Sequence, residues 1–115
     1  MKVRRITAVS ATLAAALALV ASSTAATTVG RLTATDGPGF TITMSKKSVP
    51  HGIYVITVRD RSNIHNFHLT GPGVNKTTSV AAVRTYRWRV TLKKGTYTFV
   101  CDPHKTIMIG HLKVT

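Results

Sequence analysis

The sequence predicts an all-β protein, one small β-sandwich of about seven short strands. Three observations carry this. From Thr27 onward no segment shows a helical period. The same stretch is rich in Thr and Val and poor in Leu, Glu and Ala, as strands prefer. Turn signals also cut it into short alternating runs at close intervals, the pattern of a sandwich.

The first residues are read apart from that domain. Lys2, Arg4 and Arg5 form a positive start, an apolar run extends from about Ala8 to Val20, and small residues follow at Ser23-Thr24-Ala25. That is the layout of a secretory signal peptide. Residues 1–25 are therefore expected to be a cleaved leader and residues 26–115 a single exported domain, periplasmic or extracellular. The apolar run is short for a membrane span of roughly 20 residues, and no later segment is long or apolar enough for one. Arg4-Arg5 is compatible with either general or twin-arginine export.

The strands follow in order. Arg31 to Thr35 alternates and opens the sandwich, and Asp36-Gly37-Pro38-Gly39 turns the chain. Phe40 to Met44 alternates apolar and polar, a half-buried strand. Lys46 to Gly52 reads as a loop. Ile53 to Arg59 is apolar on both faces at its centre and reads as a central strand. Ile64 to Leu69 is expected as a short strand, closed by Gly71-Pro72-Gly73, and Asn75 to Ala82 as a polar, irregular connection. Tyr86 to Leu92 places Tyr86, Trp88, Val90 and Leu92 on one face and Arg87, Arg89 and Thr91 on the other. Lys93-Lys94-Gly95 turns into Thr96 to Val100, and His111 to Val114 is the last strand.

The charge is lopsided. The chain has 16 Lys and Arg against three acids, a formal net charge of +13. Without Lys2, Arg4 and Arg5, 13 basic residues face Asp36, Asp60 and Asp102, leaving +10. Such a charge steers anionic partners. Nucleic acid is not expected, because the domain is read as exported and has no basic cluster interleaved with exposed aromatics. A soluble surface facing an anionic cell envelope fits the charge equally well.

Cys101 is the only cysteine, so it has no partner for an internal disulfide. His104 follows three positions later and Met108 four after that. A thiolate, an imidazole and a thioether in eight residues are ligands that suit copper. A second imidazole is needed. His51 sits in a turn between Pro50 and Gly52, and His111 starts the last strand; both read as ordinary exposed histidines. Within the expected strand 64–69, His65 shares a face with Phe67 and Leu69, whereas His68 shares one with Ile64 and Asn66. A ligand belongs on the core side, which favours His65 over His68. Two imidazoles and a thiolate with a weaker axial thioether make the blue-copper electron-transfer arrangement.

Two motifs extend this reading. Ile64-His65-Asn66-Phe67-His68 and Tyr97-Thr98-Phe99-Val100-Cys101-Asp102-Pro103-His104 through Met108-Ile109-Gly110 resemble those of cupredoxins of the plastocyanin, amicyanin and pseudoazurin type. The resemblance spans roughly Phe40 to Thr115. It implies a Greek-key sandwich and one copper ion, Cu(I)/Cu(II), held by His65, Cys101, His104 and Met108. It also implies that Asn66 ties the two ligand loops together, that Pro103 stiffens the second, and that His104 is the partly exposed ligand where a redox partner docks. Three residues separate His104 from Met108, a length between the shorter and longer loops of the family. Lys105 stands where many relatives keep a flat apolar patch, which Ile107 and Ile109 partly restore. A partner that docks beside Lys105 is expected to be acidic there.

The expected function is a secreted monomeric one-electron carrier with a type 1 copper site. The alternative is an envelope protein that binds or delivers copper through the same ligands. No enzyme is expected, because Asp36, Asp60 and Asp102 are scattered along the sequence and no carboxylate pair is evident.

Overall fold

The computed structural model describes residues 1–115. Residues 1–29 form no helix or strand, and every buried residue lies between Leu32 and Val114. Nine strands follow: β1 (Gly30–Asp36), β2 (Ile42–Met44), β3 (Ser48–Val49), β4 (Gly52–Asp60), β5 (His68–Gly71), β6 (Val74–Thr77), β7 (Arg84–Leu92), β8 (Gly95–Val100) and β9 (Ile109–Val114). They form a four-stranded sheet, β2-β1-β4-β7, and a five-stranded sheet, β3-β9-β8-β5-β6. Both sheets are mixed, with β1 parallel to β4 and β3 parallel to β9. No helix is long and apolar enough to cross a membrane.

The alternation that marked each strand also places the core. On β4, Tyr54, Ile56, Val58 and Asp60 turn inward, and on β7 Trp88, Val90 and Leu92 do the same. They meet Leu69, Tyr97, Phe99 and Leu112 of the facing sheet. Phe67 and Phe99 stack with centroids 5.4 Å apart. β4 is central, as its apolar run requires, lying between β1 and β7.

Three glycines sit opposite aromatic residues on neighbouring strands. Gly30 pairs with Tyr54, and Gly110 pairs with Phe99. A Cβ at Gly30, Gly71 or Gly110 would come within 2.3 Å of the ring of Tyr54, Tyr97 or Phe99, respectively. Each ring occupies the space that a side chain at its glycine would fill.

The structure corrects four expectations. The stretch from Lys46 to Gly52, expected as a loop, contains the short strand β3, in which Ser48 and Val49 pair with Lys113 and Val114 of β9. Ile64 to Phe67 is a loop, and its strand begins only at His68. The polar stretch after Gly73 is partly ordered as β6, which shows Asn75, Lys76 and Thr77 to solvent and buries only Val74. The acids at 36 and 60 are not scattered: they end β1 and β4 side by side in parallel register. Asp36 and Asp60 are both buried.

Candidate metal centre

Two loops at one end of the sandwich bring the site together. The first leaves β4 and carries Arg61 to Phe67. Ser62 shapes it, its amide donating to Asp60 Oδ1 at 3.3 Å and its hydroxyl accepting from the Ile64 amide at 3.2 Å. Phe67 pins its far end: its amide donates to Thr78 Oγ1 at 2.9 Å, and its carbonyl accepts from the Thr78 amide at 3.0 Å. Tied at both ends, the loop buries His65, Asn66 and Phe67 in succession.

The second loop leaves β8 at Cys101. A 3₁₀ turn follows over Asp102–His104, with Pro103 fixing its first residues. The His104 amide donates to the Cys101 carbonyl at 3.0 Å, and the Met108 amide donates to the His104 carbonyl at 2.9 Å. The Cys101 amide donates to the Met108 carbonyl at 3.0 Å, closing the loop on itself. Cys101 and Met108 are buried, and His104 is half-buried at the mouth.

The ligand atoms of His65, Cys101 and His104 lie within 4.8 Å of one another. His65 Nδ1 is 3.1 Å from His104 Nδ1. Cys101 Sγ is 3.7 Å from the first and 3.5 Å from the second. A point equidistant from the three lies about 2.0 Å from each, close to a zinc–imidazole bond of about 2.0–2.1 Å and slightly short of a zinc–thiolate bond of about 2.3 Å. The donor set therefore fits one first-row transition-metal ion without rearrangement. Facing Nδ1 atoms at this distance are otherwise awkward, since a neutral imidazole has one N–H and one acceptor nitrogen. Leaving Nδ1 of His65 free for a metal puts its proton on Nε2, which is buried with no partner in the protein.

The surrounding groups hold the donors in place. The Asn66 amide donates to Cys101 Sγ at 3.5 Å. The Asn66 side chain accepts from the Asp102 amide at 2.7 Å and donates to Asp102 Oδ2 at 2.8 Å and Thr77 Oγ1 at 3.1 Å. One side chain thus clamps both loops to β6. Phe40 caps the site edge-on, with its ring centroid 5.1 Å from that of His65 and 4.9 Å from that of His104. Gly37, at φ +72°, lets the β1–β2 turn pass close to His65: a Cβ there would lie 3.3 Å from the imidazole Cδ2.

The other histidines point elsewhere. His68 Nδ1 meets Asp102 at 3.0 Å and its Nε2 meets Asn75 Oδ1 at 2.7 Å. The hydrogen bond to Asp102, then that to Asn75, raises the His68 pKa above its ordinary value despite some desolvation. Burial pushes the Asp102 carboxyl up, but the hydrogen bonds from Asn66 and His68 and the charges of His68 and Lys105 together leave it below the usual carboxylate value. His51 Nδ1 lies 3.0 Å from the Thr115 carbonyl, and His111 Nδ1 lies 3.2 Å from Thr98 Oγ1, both on the surface.

This donor set belongs to a known pattern. The chain matches the model of copper binding proteins of the plastocyanin/azurin family over residues 19–115. The protein belongs to the plastocyanin/azurin family. Its cofactor is one copper ion, and the His65/Cys101/His104 cluster is able to hold it. Among solved structures, this cupredoxin resembles auracyanin A, a "blue" copper protein from Chloroflexus aurantiacus, at 16% identity and a TM-score of 0.54, covering 76% of this chain and 100% of that one. It also resembles rusticyanin from Thiobacillus ferrooxidans, at 19% identity and a TM-score of 0.57, covering 76% and 77%. At such identities the likeness is one of fold. No curated protein matches the chain in sequence.

Sequence reasoning missed Phe40 and Asp102 as parts of the site. The alternation of Phe40 with Ile42 and Met44 predicts a strand, whereas Phe40 lies in the β1–β2 turn, which carries its ring over the imidazoles. Asp102 left a local trace, since it follows Cys101 directly and so must lie near Asn66 once the loops meet.

Proposed function

We propose that this cupredoxin is an exported type 1 copper protein that carries single electrons between partner proteins. The observation that carries the reading is the donor triangle of 3.1, 3.5 and 3.7 Å, already closed around one point by residues from two loops. His65, Cys101 and His104 would hold the ion, with Met108, buried in the same loop as Cys101 and His104, as a further and weaker ligand. The copper ion supplies a one-electron Cu(I)/Cu(II) couple.

The chain's own residues do the rest. Cys101 Sγ is a thiolate in this role, and the Asn66 amide stabilises its charge. Asn66 and Asp102 lock the loops against each other, so the donors keep one arrangement in both oxidation states. That rigidity favours a carrier over a delivery protein, which must open to release its cargo. Burial of Cys101, Met108 and His65 keeps water away, and half-exposed His104 is the route to the surface. Around it Ile64, Phe40, Ile107 and Ile109 are exposed apolar residues, a rim suited to brief docking of a redox partner, with Lys105 favouring an acidic one. Residues 1–25 would be a cleaved leader that exports the monomer.

The test is to add Cu(II) to the purified chain and record visible and electron-spin spectra. The reading expects an intense thiolate charge-transfer band and small hyperfine splitting. A colourless or normal-copper complex would overturn it. His65→Ala is expected to abolish the band, and His68→Ala to leave it.

A further inference from the structure

The six arginines after the leader are segregated from the seven lysines. Arg31, Arg59, Arg84, Arg87 and Arg89 lie on strands of the four-stranded sheet, and Arg61 follows β4 directly. No lysine lies on a strand of that sheet; the lysines occupy the other sheet and the loops. On the outer face, exposed Arg31 and Arg89 flank Val55 across three strands. Arg87 pairs with Thr57, and Arg59 lies between Thr35 and Thr85.

With strands about 4.8 Å apart, Arg31 and Arg89 are spaced by about 10 Å at the backbone, and Arg59 and Arg87 are diagonal neighbours at about 7–8 Å. Like charges directly opposite destabilise a sheet, and this pattern avoids that while still gathering four on one surface. At the end of the sheet Arg59, Arg61 and Arg84 line a shallow cleft together with Asp60, and the Arg84 guanidinium stacks 4.6 Å from the Tyr86 ring centroid.

No ion pair neutralises the four outward arginines Arg31, Arg59, Arg87 and Arg89. The acids of the sheet, Asp36 and Asp60, are buried on its inner side. The only ion pair is His68 with Asp102, on the other sheet and its adjoining loop. Guanidinium forks match phosphate oxygens two at a time, which ammonium groups do not. The rest of the face is threonine, with half-buried Val55 and Ile53. Its outward rows have no aromatic ring to stack a base, since Tyr86 packs against the core on the inner side, and no projecting element to enter a groove, which argues against nucleic acid. It also lacks the aromatic or large apolar anchors that centre a protein interface. A layer of phosphate headgroups demands neither.

We propose that the outer face of the β2-β1-β4-β7 sheet docks flat on an anionic phospholipid surface through Arg31, Arg59, Arg87 and Arg89. The metal end lies at the tip of the same sheet, past Asp36 and Asp60, so docking the broad face leaves half-exposed His104 free to meet a partner moving along that surface. The proposal does not depend on copper. Its failure would leave the metal site untouched.

The test uses the chain beginning at Ala26, which keeps every strand and every core residue, and measures co-sedimentation with phosphatidylcholine vesicles containing about one-third phosphatidylglycerol. Binding is expected to these vesicles and not to pure phosphatidylcholine. At about fivefold per arginine, R31Q/R59Q/R87Q/R89Q is expected to lower partitioning by a few hundredfold. K46Q/K47Q/K76Q/K113Q, with the same change in charge, is expected to lower it less than about tenfold. Unchanged melting temperatures check that both variants fold. Equal losses in the two variants would overturn the proposal in favour of net charge alone. Binding to soluble polyglutamate without binding to vesicles would overturn it in favour of an acidic protein partner.

Discussion

Asp36→Asn removes one member of a carboxyl pair that the fold has placed under strain of charge. Asp36 is 0% exposed, and its pKa is raised from 3.8 to about 7. Burial is the largest cause; the hydrogen bond to Asp60 and the charge of Asp60 add to it. Neither oxygen of Asp36 nor Oδ2 of Asp60 has a donor among the surrounding groups, so a proton shared between the two carboxyls is what satisfies them. The other charged or titratable neighbours are Arg84, paired across the strands with Asp60, Arg59 and Arg61, which share a cleft with Asp60, and His65 beyond Gly37; the Arg61 amide also donates to the Asp36 carbonyl at 3.0 Å.

The sign follows from the direction of the shift. Below about pH 3.8 the carboxyl is protonated in both folded and unfolded chains, and it contributes nothing to the pH dependence. Above that the unfolded chain releases the proton while the folded one still holds it, so stability falls until the folded group also ionises near pH 7. The full span corresponds to at most about 4 kcal/mol, of which about 3 falls between about pH 4.5 and 7.5. For a domain of this size 1 kcal/mol moves Tm by about 4–8 °C. Wild type is therefore expected to lose roughly 10 °C or more across that range relative to Asp36→Asn, whose amide keeps the shape and donates to Asp60. Thermal unfolding of the copper-free chain is the assay, because copper binding carries its own pH dependence. The His68–Asp102 pair titrates in both proteins and cancels in the difference. Parallel Tm curves for the two proteins would refute the argument.

Two further outcomes are expected from the loops and the sheet. Asn66→Ala keeps its amide contact with Cys101 Sγ but loses three side-chain hydrogen bonds to Asp102 and Thr77; it should cost about 2–3 kcal/mol in denaturant unfolding of the copper-free chain. Gly110→Ala drives a methyl group to within 2.3 Å of the Phe99 ring, and since that ring is packed in the core the same measurement should show a loss of about 1–3 kcal/mol.

What the sequence disclosed followed the range of its interactions. Cys101 and His104 were legible because one short loop carries them and ligand spacing is a local property. The outward row of Arg87 and Arg89 was legible because alternation along one strand is local too. His65 was reached by a premise that fails: Ile64 to Phe67 is not a strand, and three successive buried residues there break the period of two. A hydroxyl at Thr78 and a clamp at Asn66 bury that loop, and both act across the fold. β6 escaped notice because an edge strand with one buried residue has no alternation to read. The pairing of Asp36 with Asp60 depends on a parallel register between strands far apart in sequence, and no local pattern announces it.

That pairing also changes how the charge should be counted. A formal tally sets three acids against the basic residues. Two of the three are buried together, and one of them keeps its proton up to about pH 7. The third, Asp102, is engaged by His68 and Asn66. The solvent-facing field of the domain is therefore cationic almost without interruption, and stronger than the sequence total suggests. Fields of this kind raise association rates and are screened within about 10 Å at 0.1 M salt. Electron transfer to an acidic partner should accordingly slow as salt is added. Under the proposed assignment of the metal end to a redox partner and the sheet face to lipid, the slope should depend on Lys105 and remain unchanged in the arginine variants of the sheet face.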